Sequence, residues 1–182
     1  KIKQVSSVSI AILRNQISRY PSFLIKFEDD FAKLTGTKHG LSFCNGTSAI
    51  EASLFAIGIQ PGDEVIVPSC TFHASFDPIC NIGATPIFAD VDRRNFTLCP
   101  MALEKKISPK TKAIIVVHLF GIPANMKEIK QIADKANIDI IEDVSHAHGA
   151  TSDNQVCGSI GRVGAFSLQG AKAIAAGVGG IS

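Results

Sequence analysis

Four short apolar runs constrain what this chain can fold into more than any other feature. Each run is short enough for a buried strand, and segments of helical or turn character separate one run from the next. The runs cover residues 64–68, 85–91, 113–119 and 138–143, and residues 125–136 have the pattern of a helix. Strands of a parallel sheet are covered on both faces and therefore have continuous apolar sequences. The pattern predicts an α/β fold, a three-layer α/β/α domain with a mostly parallel sheet.

The other predicted elements extend this pattern toward both ends of the chain. They are helices over residues 3–15, 22–35 and 48–58, and strands over residues 40–43 and 164–168. The helix over residues 22–35 places four apolar side chains on one face: Phe23, Phe27, Phe31 and Leu34. The length of the chain suits one domain with a proper core, so residues 1–182 are assigned to a single domain.

Composition and charge exclude several classes of protein. Apolar residues make up 46% of the chain and charged residues 19%, which is typical of a globular protein and not of a disordered one. The net charge is +2 without a basic run, so we expect no nucleic-acid partner. No apolar run is long enough to span a bilayer, and the first residues lack the pattern of a signal peptide, so no membrane partner is expected.

The cysteines indicate a reducing compartment, and the histidines do not favour a metal site. Five cysteines lie at scattered positions without a CxxC pair: Cys44, Cys70, Cys80, Cys99 and Cys157. Such a distribution fits free thiols in the cytoplasm better than a disulfide framework. His146 and His148 could form an exposed turn pair or bind a metal, but no matching cluster of cysteines and acids accompanies them.

Polar side chains occur where the predicted strands end. Ligands of a parallel sheet bind beyond the carboxyl ends of its strands, which share one edge. Asp143 and Ser167 lie at two such ends, and Lys172 follows among small residues with no acid to pair with. This combination suits a cofactor with an aldehyde and a pyridine ring. The lysine would form a Schiff base, and the acid would hold the ring nitrogen protonated.

The acids and the lysine also have ordinary structural interpretations. Lys172 could be a surface lysine, and Asp143 could be a helix N-cap or a turn residue. Glu142 precedes Asp143 on the same strand, so its side chain is expected on the opposite face, in a structural role.

The candidate phosphate loop, Phe72 and His118 each have an ordinary structural interpretation as well. Gly46, Thr47 and Ser48 precede an apolar helix and could simply cap it. The same geometry would offer free amides and the positive end of the helix dipole to a phosphate. Phe72 could be a core residue or could stack on a ring, and His118 could be a core histidine with satisfied hydrogen bonds.

Five motifs together resemble one family in their order and spacing. They are NGTSAIEASLFAIGIQPGDEVIVPSCTFHAS, GATPIFADVD, SPKTKAIIVVHLFG, IIEDVSHAHGA and GAFSLQGAKAIAAGVGG. They resemble the nucleotide-sugar aminotransferases of the DegT/DnrJ/EryC1/StrS family, which are fold type I enzymes dependent on pyridoxal 5'-phosphate (PLP). The resemblance extends from about Phe27 onward. It implies that the chain is the amino-terminal half of such an enzyme, a large PLP-binding domain without the small domain, and that a longer protein continues past Ser182.

The resemblance implies roles for residues around the cofactor ring. The family pattern F-S-x-x-x-x-K ends on Lys172, which would form the Schiff base. The E-D pair ends on Asp143, which would pair with the pyridinium nitrogen. Phe72 matches the aromatic residue of a P-S-x-T-[FYW] segment and would stack on the ring. His146 stands where many members have Gln, and it is expected beside the cofactor.

The resemblance also implies a phosphate site and one departure from the family pattern. The family loop G-T-[SA]-A falls on Gly46, Thr47 and Ser48, whose backbone would hold the phosphate. Ser167 would add a hydroxyl group. The family motif G-E-G-G after the lysine has Val178 in place of Glu here, which would alter the surroundings of the lysine.

The activity implied by the resemblance is a ping-pong transamination. An amino-acid donor, expected to be glutamate, would pass its amino group to a nucleotide-linked keto-sugar, in a homodimer that shares its active sites between subunits. Two alternatives stay open: a PLP-dependent sugar dehydratase or lyase of the same fold, and a truncated homologue that acts as a binding module. Family dehydratases carry His in place of the lysine, so Lys172 argues against that branch.

Overall fold

A computed structural model describes residues 9–10, 13 and 22–182 of the chain. The predicted helix over residues 3–15 therefore lies almost entirely outside the described residues. The described part contains nine strands. They are β1 (Ser42–Phe43), β2 (Glu64–Pro68), β3 (Thr85–Ala89), β4 (Thr111–Val117), β5 (Asp139–Asp143), β6 (Thr151–Ser152), β7 (Gln155–Val156), β8 (Val163–Ser167) and β9 (Gly180–Ile181).

Seven of these strands form one sheet in the order β1-β9-β8-β5-β4-β2-β3. Five of the strands form a continuous parallel part of the sheet, in the order β8-β5-β4-β2-β3. Only β9 is reversed, since it pairs antiparallel with both β1 and β8. Strands β6 and β7 form a separate hairpin. The predicted mostly parallel sheet is confirmed.

Five helices surround the sheet in the described residues. They are α1 (Ser22–Thr35), α2 (Gly46–Ala56), α3 (Asp77–Asn81), α4 (Pro100–Lys106) and α5 (Met126–Ala136). The side chains of Asn45 and Asn125 accept hydrogen bonds from amides in the first turns of α2 and α5, which fixes where these helices begin. Helix α5 ends at Asn137, which has a left-handed conformation with φ of 55°.

The three layers follow from the alternation of side chains along the strands. Ile141 of β5 and Val117 of β4 belong to the core that α2 and α3 cover. Their neighbours Ile140 and Val116 belong to the core that α4 and α5 cover. Because successive residues of a strand face opposite sides, one apolar run supplies both cores. The predicted three-layer α/β/α arrangement is confirmed.

The predicted buried face of α1 is wrong in part. Phe31 is buried, but Phe23 is 47% exposed and Leu34 is 58% exposed. The helix instead buries a neighbouring stripe that includes Glu28, whose carboxylate accepts hydrogen bonds from the amide (2.8 Å) and hydroxyl (2.5 Å) of Ser42. Glu28 thus joins α1 to β1 through a polar contact that the apolar periodicity does not reveal.

Several elements were not predicted, and element ends differ from the predicted ones by a few residues. The hairpin of β6 and β7, the strand β9 and the short helices α3 and α4 have no counterpart in the sequence pattern. Among the described residues, no helix has both the length and the apolar character needed to cross a membrane.

Candidate active site

The carboxyl ends of β1, β2, β4, β5 and β8 lie at one edge of the sheet, and a cavity of about 470 Å³ opens there. Loops that follow these strands supply its walls, as expected for a parallel sheet. Seven of the predicted site residues line the cavity: Gly46, Thr47, Phe72, Asp143, His146, Ser167 and Lys172. Residues more than 120 positions apart in the chain are thus brought to one place, as Gly46 and Lys172 illustrate.

Asp143 is the buried acid of this cavity, with 5% of its surface exposed. Its Oδ2 accepts a hydrogen bond from the Ser75 hydroxyl (2.7 Å), and its Oδ1 accepts one from the Ser145 amide (3.1 Å). Two donors on separate oxygens suit an ionised carboxylate, which can only accept. The sequence placed Asp143 at a strand end but gave no sign of Ser75.

The first turn of α2 lies against Ser167 at the end of β8. A Cβ atom on Gly46 would lie only 2.8 Å from the Cβ of Ser167, so glycine is required for this close approach. The first amides of a helix have no acceptor within the helix, and the positive end of the helix dipole lies beside them. The amides of Gly46 and Thr47, together with the Ser167 hydroxyl, are therefore available to an anion.

Ser48 does not line the cavity. Its amide donates to Oδ1 of Asn45 (2.8 Å), and its hydroxyl lies 3.3 Å from Sγ of Cys44. The side chain of Asn45 thus caps α2 by accepting a hydrogen bond from the Ser48 amide, so that amide is not available to a phosphate. The alternative that Gly46, Thr47 or Ser48 caps the helix is wrong, because α2 begins at Gly46 and its N-cap is Asn45. Gly46 and Thr47 keep their place in the cavity wall.

Lys172 lies in an irregular loop after β8 and reaches the cavity wall. The loop folds back on itself through hydrogen bonds between Gly170 N and Gly177 O (2.9 Å) and between Ala176 N and Leu168 O (2.8 Å). The small residues beside Lys172 in the sequence do not enclose its side chain, because Gly170, Ala171 and Ala173 are exposed. What surrounds the lysine side chain comes from other elements of the fold.

The imidazole of His146 lies within electrostatic reach of both Lys172 and Asp143. Burial and the nearby positive charge of Lys172 lower the pKa of His146, while the negative charge of Asp143 opposes this. The imidazole stacks on the ring of Phe120, with ring centroids 6.0 Å apart and an interplanar angle of 8°. Lys172 and Asp143 therefore both lie close enough to influence the same imidazole.

Two aromatic or apolar residues near the cavity differ in their relation to it. Phe72 lines the cavity and is 63% exposed, so it is not a core residue, and its ring contacts that of His73 with centroids 4.1 Å apart. Val178, at the position where the family has Glu, is 73% exposed and does not line the cavity.

Glu142 lies on the other face of β5 and is fully buried. Its carboxylate accepts hydrogen bonds from Nε2 of His118 (3.0 Å) and from the amides of Gly158 (2.8 Å), Ile160 (2.7 Å) and Gly161 (2.6 Å). Burial raises the pKa of the Glu142 carboxyl, but the hydrogen bonds from His118, Gly158 and Gly161 outweigh burial, so the pKa is lowered overall. The structural role expected for Glu142 is confirmed.

His118 is the satisfied core histidine that the sequence left as one alternative. Its Nδ1 accepts a hydrogen bond from the Ala124 amide (3.1 Å), so the ring proton is on Nε2, which donates to Glu142. Ligand atoms of His118, Glu142 and Cys157 lie within 4.8 Å of one another. Burial and the Glu142 charge raise the pKa of Cys157 to about 11, so its thiol is protonated. The cluster is a hydrogen-bonded core and has no free lone pairs directed at a cation.

Nine further residues line the cavity without having been predicted from the sequence. They are Asn45, Ile50, Thr71, Ala74, Ser75, Val117, Leu119, Ser145 and Gln169. Seven of them lie within three positions of a predicted site residue, so proximity in the sequence was the available signal, whereas Val117 and Leu119 lie at or just past the end of β4. Which of these neighbours turns toward the cavity depends on backbone geometry that the sequence pattern does not contain.

Comparisons with known proteins agree with this architecture. Residues 3–182 match the model of the DegT/DnrJ/EryC1/StrS aminotransferase family. A GDP-perosamine synthase of Caulobacter vibrioides is 44% identical over 165 residues, which is 91% of this chain and 44% of that protein. The crystal structure of an aminotransferase from Psychrobacter cryohalolentis superimposes with a TM-score of 0.96 at 39% identity, covering 100% of this chain and 46% of that one.

A sugar aminotransferase described as putative, Spr1654 from Streptococcus pneumoniae, has been solved in its PLP form. It gives a TM-score of 0.84 at 32% identity over 87% of this chain and 44% of that one. The chain spans about half the length of the relatives it matches. The likeness confirms the predicted fold class, that of the fold type I enzymes. The chain belongs to the DegT/DnrJ/EryC1/StrS aminotransferase family.

Proposed function

We propose that residues 1–182 form the large PLP-binding domain of an aminotransferase that acts on nucleotide-linked keto-sugars. The observation that carries this proposal is the single cavity shared by Asp143, Lys172, Ser167 and the amino-terminal end of α2. An acid, an amine and an anion site are the three groups that a phosphorylated pyridine aldehyde requires. Family membership and the PLP form of a related structure support the same cofactor.

The residues present fit this cofactor. The volume of about 470 Å³ lies within the range of about 300–1,000 Å³ that is common for small-molecule and cofactor sites. The close contact between Gly46 and Ser167 places the first turn of α2 beside the Ser167 side chain, and helix amides together with a hydroxyl suit a phosphate. Phe72 presents an exposed ring at the wall, on which a planar cofactor could stack.

When bound, PLP supplies an electron sink for a carbanion formed at the substrate carbon. The chain's own residues supply the rest. The carboxylate of Asp143 would accept the ring N–H and keep that nitrogen positively charged. The amine of Lys172 would hold the aldehyde carbon covalently and, when released, would carry a proton to or from the substrate carbon. His146, between these two charges, would stay neutral at physiological pH because its pKa is lowered.

The substrates are proposed from the relatives and from the family resemblance, and not from the cavity. The relative from Caulobacter is named GDP-perosamine synthase, which supports a nucleotide-linked sugar as substrate. The keto form of that sugar and glutamate as the amino donor are what the family resemblance implies. We also propose a homodimer that completes the site, because the described cavity is open on one side of the sheet edge. The cytoplasm is the proposed location, since all five cysteines are free thiols, which persist in a reducing compartment.

The direct test is transfer of a labelled amino group. Purified protein with PLP is incubated with ¹⁵N-glutamate and a nucleotide-linked keto-sugar, and the sugar product is analysed by mass spectrometry. We expect ¹⁵N in an amino-sugar product, and no product without glutamate. The Lys172→Ala variant is the matched control and should give none.

The same experiment separates the alternatives. A deoxygenated product formed by loss of water, with glutamate consumed but no nitrogen retained on the sugar, would identify a dehydratase and contradict the proposal. PLP binding without turnover of any sugar substrate would favour a binding module. If the coding sequence extends past Ser182, the longer chain is tested beside the 182-residue chain.

A further inference from the structure

Two hydroxyls, one buried and one half-buried, are linked to Asp143 by hydrogen bonds, and the proposed function assigns no role to them. Oγ of Ser75 lies 2.7 Å from Oδ2 of Asp143, and Oγ1 of Thr71 lies 2.8 Å from Oγ of Ser75. Ser75 is 1% exposed and stands 68 positions before the acid in the chain. The contact is therefore a product of the fold and not of local sequence.

The direction of these hydrogen bonds follows from the charge of the acid. An ionised carboxylate has no proton to donate, so the Ser75 hydroxyl must donate to Asp143. The oxygen of Ser75 is then the acceptor in its contact with Thr71, whose hydroxyl donates to it. The two hydroxyls form a chain that directs successive donors toward the negative charge.

Burial makes this chain more effective than a surface hydrogen bond. Asp143 is 5% exposed, and hydrogen bonds to charged groups are stronger where water is excluded. The Ser145 amide donates to the other oxygen, Oδ1, so the two oxygens are each held by a donor. The carboxylate is thereby held at both oxygens, and Asp143 still lines the cavity.

The same segment carries the aromatic wall. Ser75 belongs to a 3-10 turn, His73–Ser75, that begins directly after Phe72, and its amide donates to the carbonyl oxygen of Phe72 (3.0 Å). One short turn therefore links the side chain that would stack on the ring to the side chain that would hold the ring nitrogen.

We propose that Ser75 is a positioning residue for PLP: its hydroxyl orients the Asp143 carboxylate and stabilises the charged form that keeps the ring nitrogen protonated. The Thr71 hydroxyl donates a hydrogen bond to the oxygen of Ser75 and so helps to hold that side chain in place. This inference rests on the proposed cofactor. It adds Ser75 as a residue that influences the protonation of the cofactor ring through Asp143, without contacting the ring nitrogen itself.

The test is the protonation state of the bound cofactor, measured without turnover. Wild-type protein and the variants Ser75→Ala and Ser75→Thr are loaded with PLP carrying ¹⁵N in the ring, and the nitrogen resonance is recorded by NMR. Affinity for PLP is measured in parallel by absorbance titration. Ser53→Ala is the matched control, because Ser53 is a serine of 2% exposure whose hydroxyl donates to the Ala49 carbonyl, away from the acid.

We expect Ser75→Ala to move the resonance toward that of an unprotonated ring and to weaken PLP binding about 10- to 100-fold, as for loss of a hydrogen bond to a charged group. Ser75→Thr keeps the hydroxyl and should restore the wild-type resonance. Ser53→Ala should leave both the resonance and the affinity unchanged. A purely structural role for Ser75 would lower affinity without moving the resonance.

The inference is overturned if Ser75→Ala keeps the wild-type resonance, or if Ser53→Ala moves it equally. If wild-type protein binds no PLP, the proposed function fails, and this inference fails with it. If wild-type protein binds PLP but Ser75→Ala keeps the wild-type resonance, only this inference fails, so the two failures are distinguishable. Should circular dichroism show that Ser75→Ala is unfolded, Thr71→Val decides the question. That variant is expected to shift the resonance in the same direction by a smaller amount, and an unchanged resonance would overturn the inference.

Discussion

Glu142 and Asp143 are consecutive residues of β5, yet their carboxylates lie on opposite faces of the sheet and have no partner in common. Glu142 is held by His118 and three amides inside the core. Asp143 is held by Ser75 and Ser145 at the cavity. The two-residue period of a strand places the two acids on opposite faces. The first acid anchors the 158–161 loop beside β5, and the second lines the cavity proposed for the cofactor.

Replacing Glu142 is expected to destabilise the fold. Glu142→Gln keeps the shape of the side chain but leaves amide donors of the 158–161 loop without a charged acceptor, at a cost of about 3 kcal/mol in the free energy of unfolding. Chemical denaturation measures this. Glu104→Gln, on the exposed surface of α4, is the control and should have little effect. Equal stability of the two variants would contradict the anchoring role.

The stabilisation by Glu142 should depend on pH. Its pKa is lowered in the folded state, so its contribution is present above the ordinary value of 4.5 and is lost as the pH falls through the lower folded pKa. We expect the stability difference between wild type and Glu142→Gln to be constant near neutral pH and to narrow below pH 4.5. A difference that grows on acidification would contradict this sign.

The thiol of Cys157 should be inert. It is fully buried and its pKa is raised to about 11, so its thiolate is scarce at pH 8. Iodoacetamide should modify it more than about 100-fold more slowly than a free cysteine of pKa near 8.5. Cys44, Cys70 and Cys80 are exposed and serve as internal controls in the same mass spectrum. Rapid modification of Cys157 in the folded protein would show that the core around Glu142 is open.

Lys172 and His146 should be coupled. The cationic lysine disfavours the imidazolium form, so Lys172→Gln is expected to raise the pKa of His146 toward its ordinary value of 6.5. An NMR titration of the imidazole resonances measures the change. Lys135→Gln, at the exposed end of α5, should leave the pKa of His146 as it is. An unchanged value in Lys172→Gln would place the lysine away from His146.

Gly180 should tolerate no side chain. A Cβ atom there would overlap the carbonyl oxygen of Asn45, the residue that caps α2. We expect Gly180→Ala to destabilise the fold by about 3 kcal/mol and to weaken phosphate binding, because the α2 end must move. In Gly170→Ala the nearest atom would be 3.6 Å away, so this control should be nearly neutral. Thermal unfolding of both variants measures the contrast, and equal melting temperatures would refute it.

Local sequence patterns were sufficient to predict most strands of the sheet and the residues at their ends. The strands containing residues 64–68 and 138–143 were predicted almost to their ends, because apolar runs of that length have few other uses. Asp143 and Lys172 were found through their positions after such runs and through the family motifs. The cavity then brought them together, as a parallel sheet does with its strand ends.

What the sequence could not show depends on contacts between distant segments. The bond between Ser75 and Asp143 joins positions 68 apart, and that between His118 and Glu142 joins positions 24 apart. The strand β9 consists of a glycine and an isoleucine with no strand pattern, and its pairing with β1 and β8 defines it. On α1, the hydrogen bonds from Ser42 to Glu28 join the helix to β1, and the apolar periodicity does not indicate this contact.

The central claim is that one lysine and one acid hold the two ends of a pyridine aldehyde. Purified protein is incubated with PLP, reduced with borohydride and digested, and the peptides are sequenced by mass spectrometry. The account predicts one reduced PLP adduct on Lys172, which is lost in Lys172→Ala and formed with lower affinity in Asp143→Asn. An adduct on another lysine, or none on wild-type protein, would contradict it.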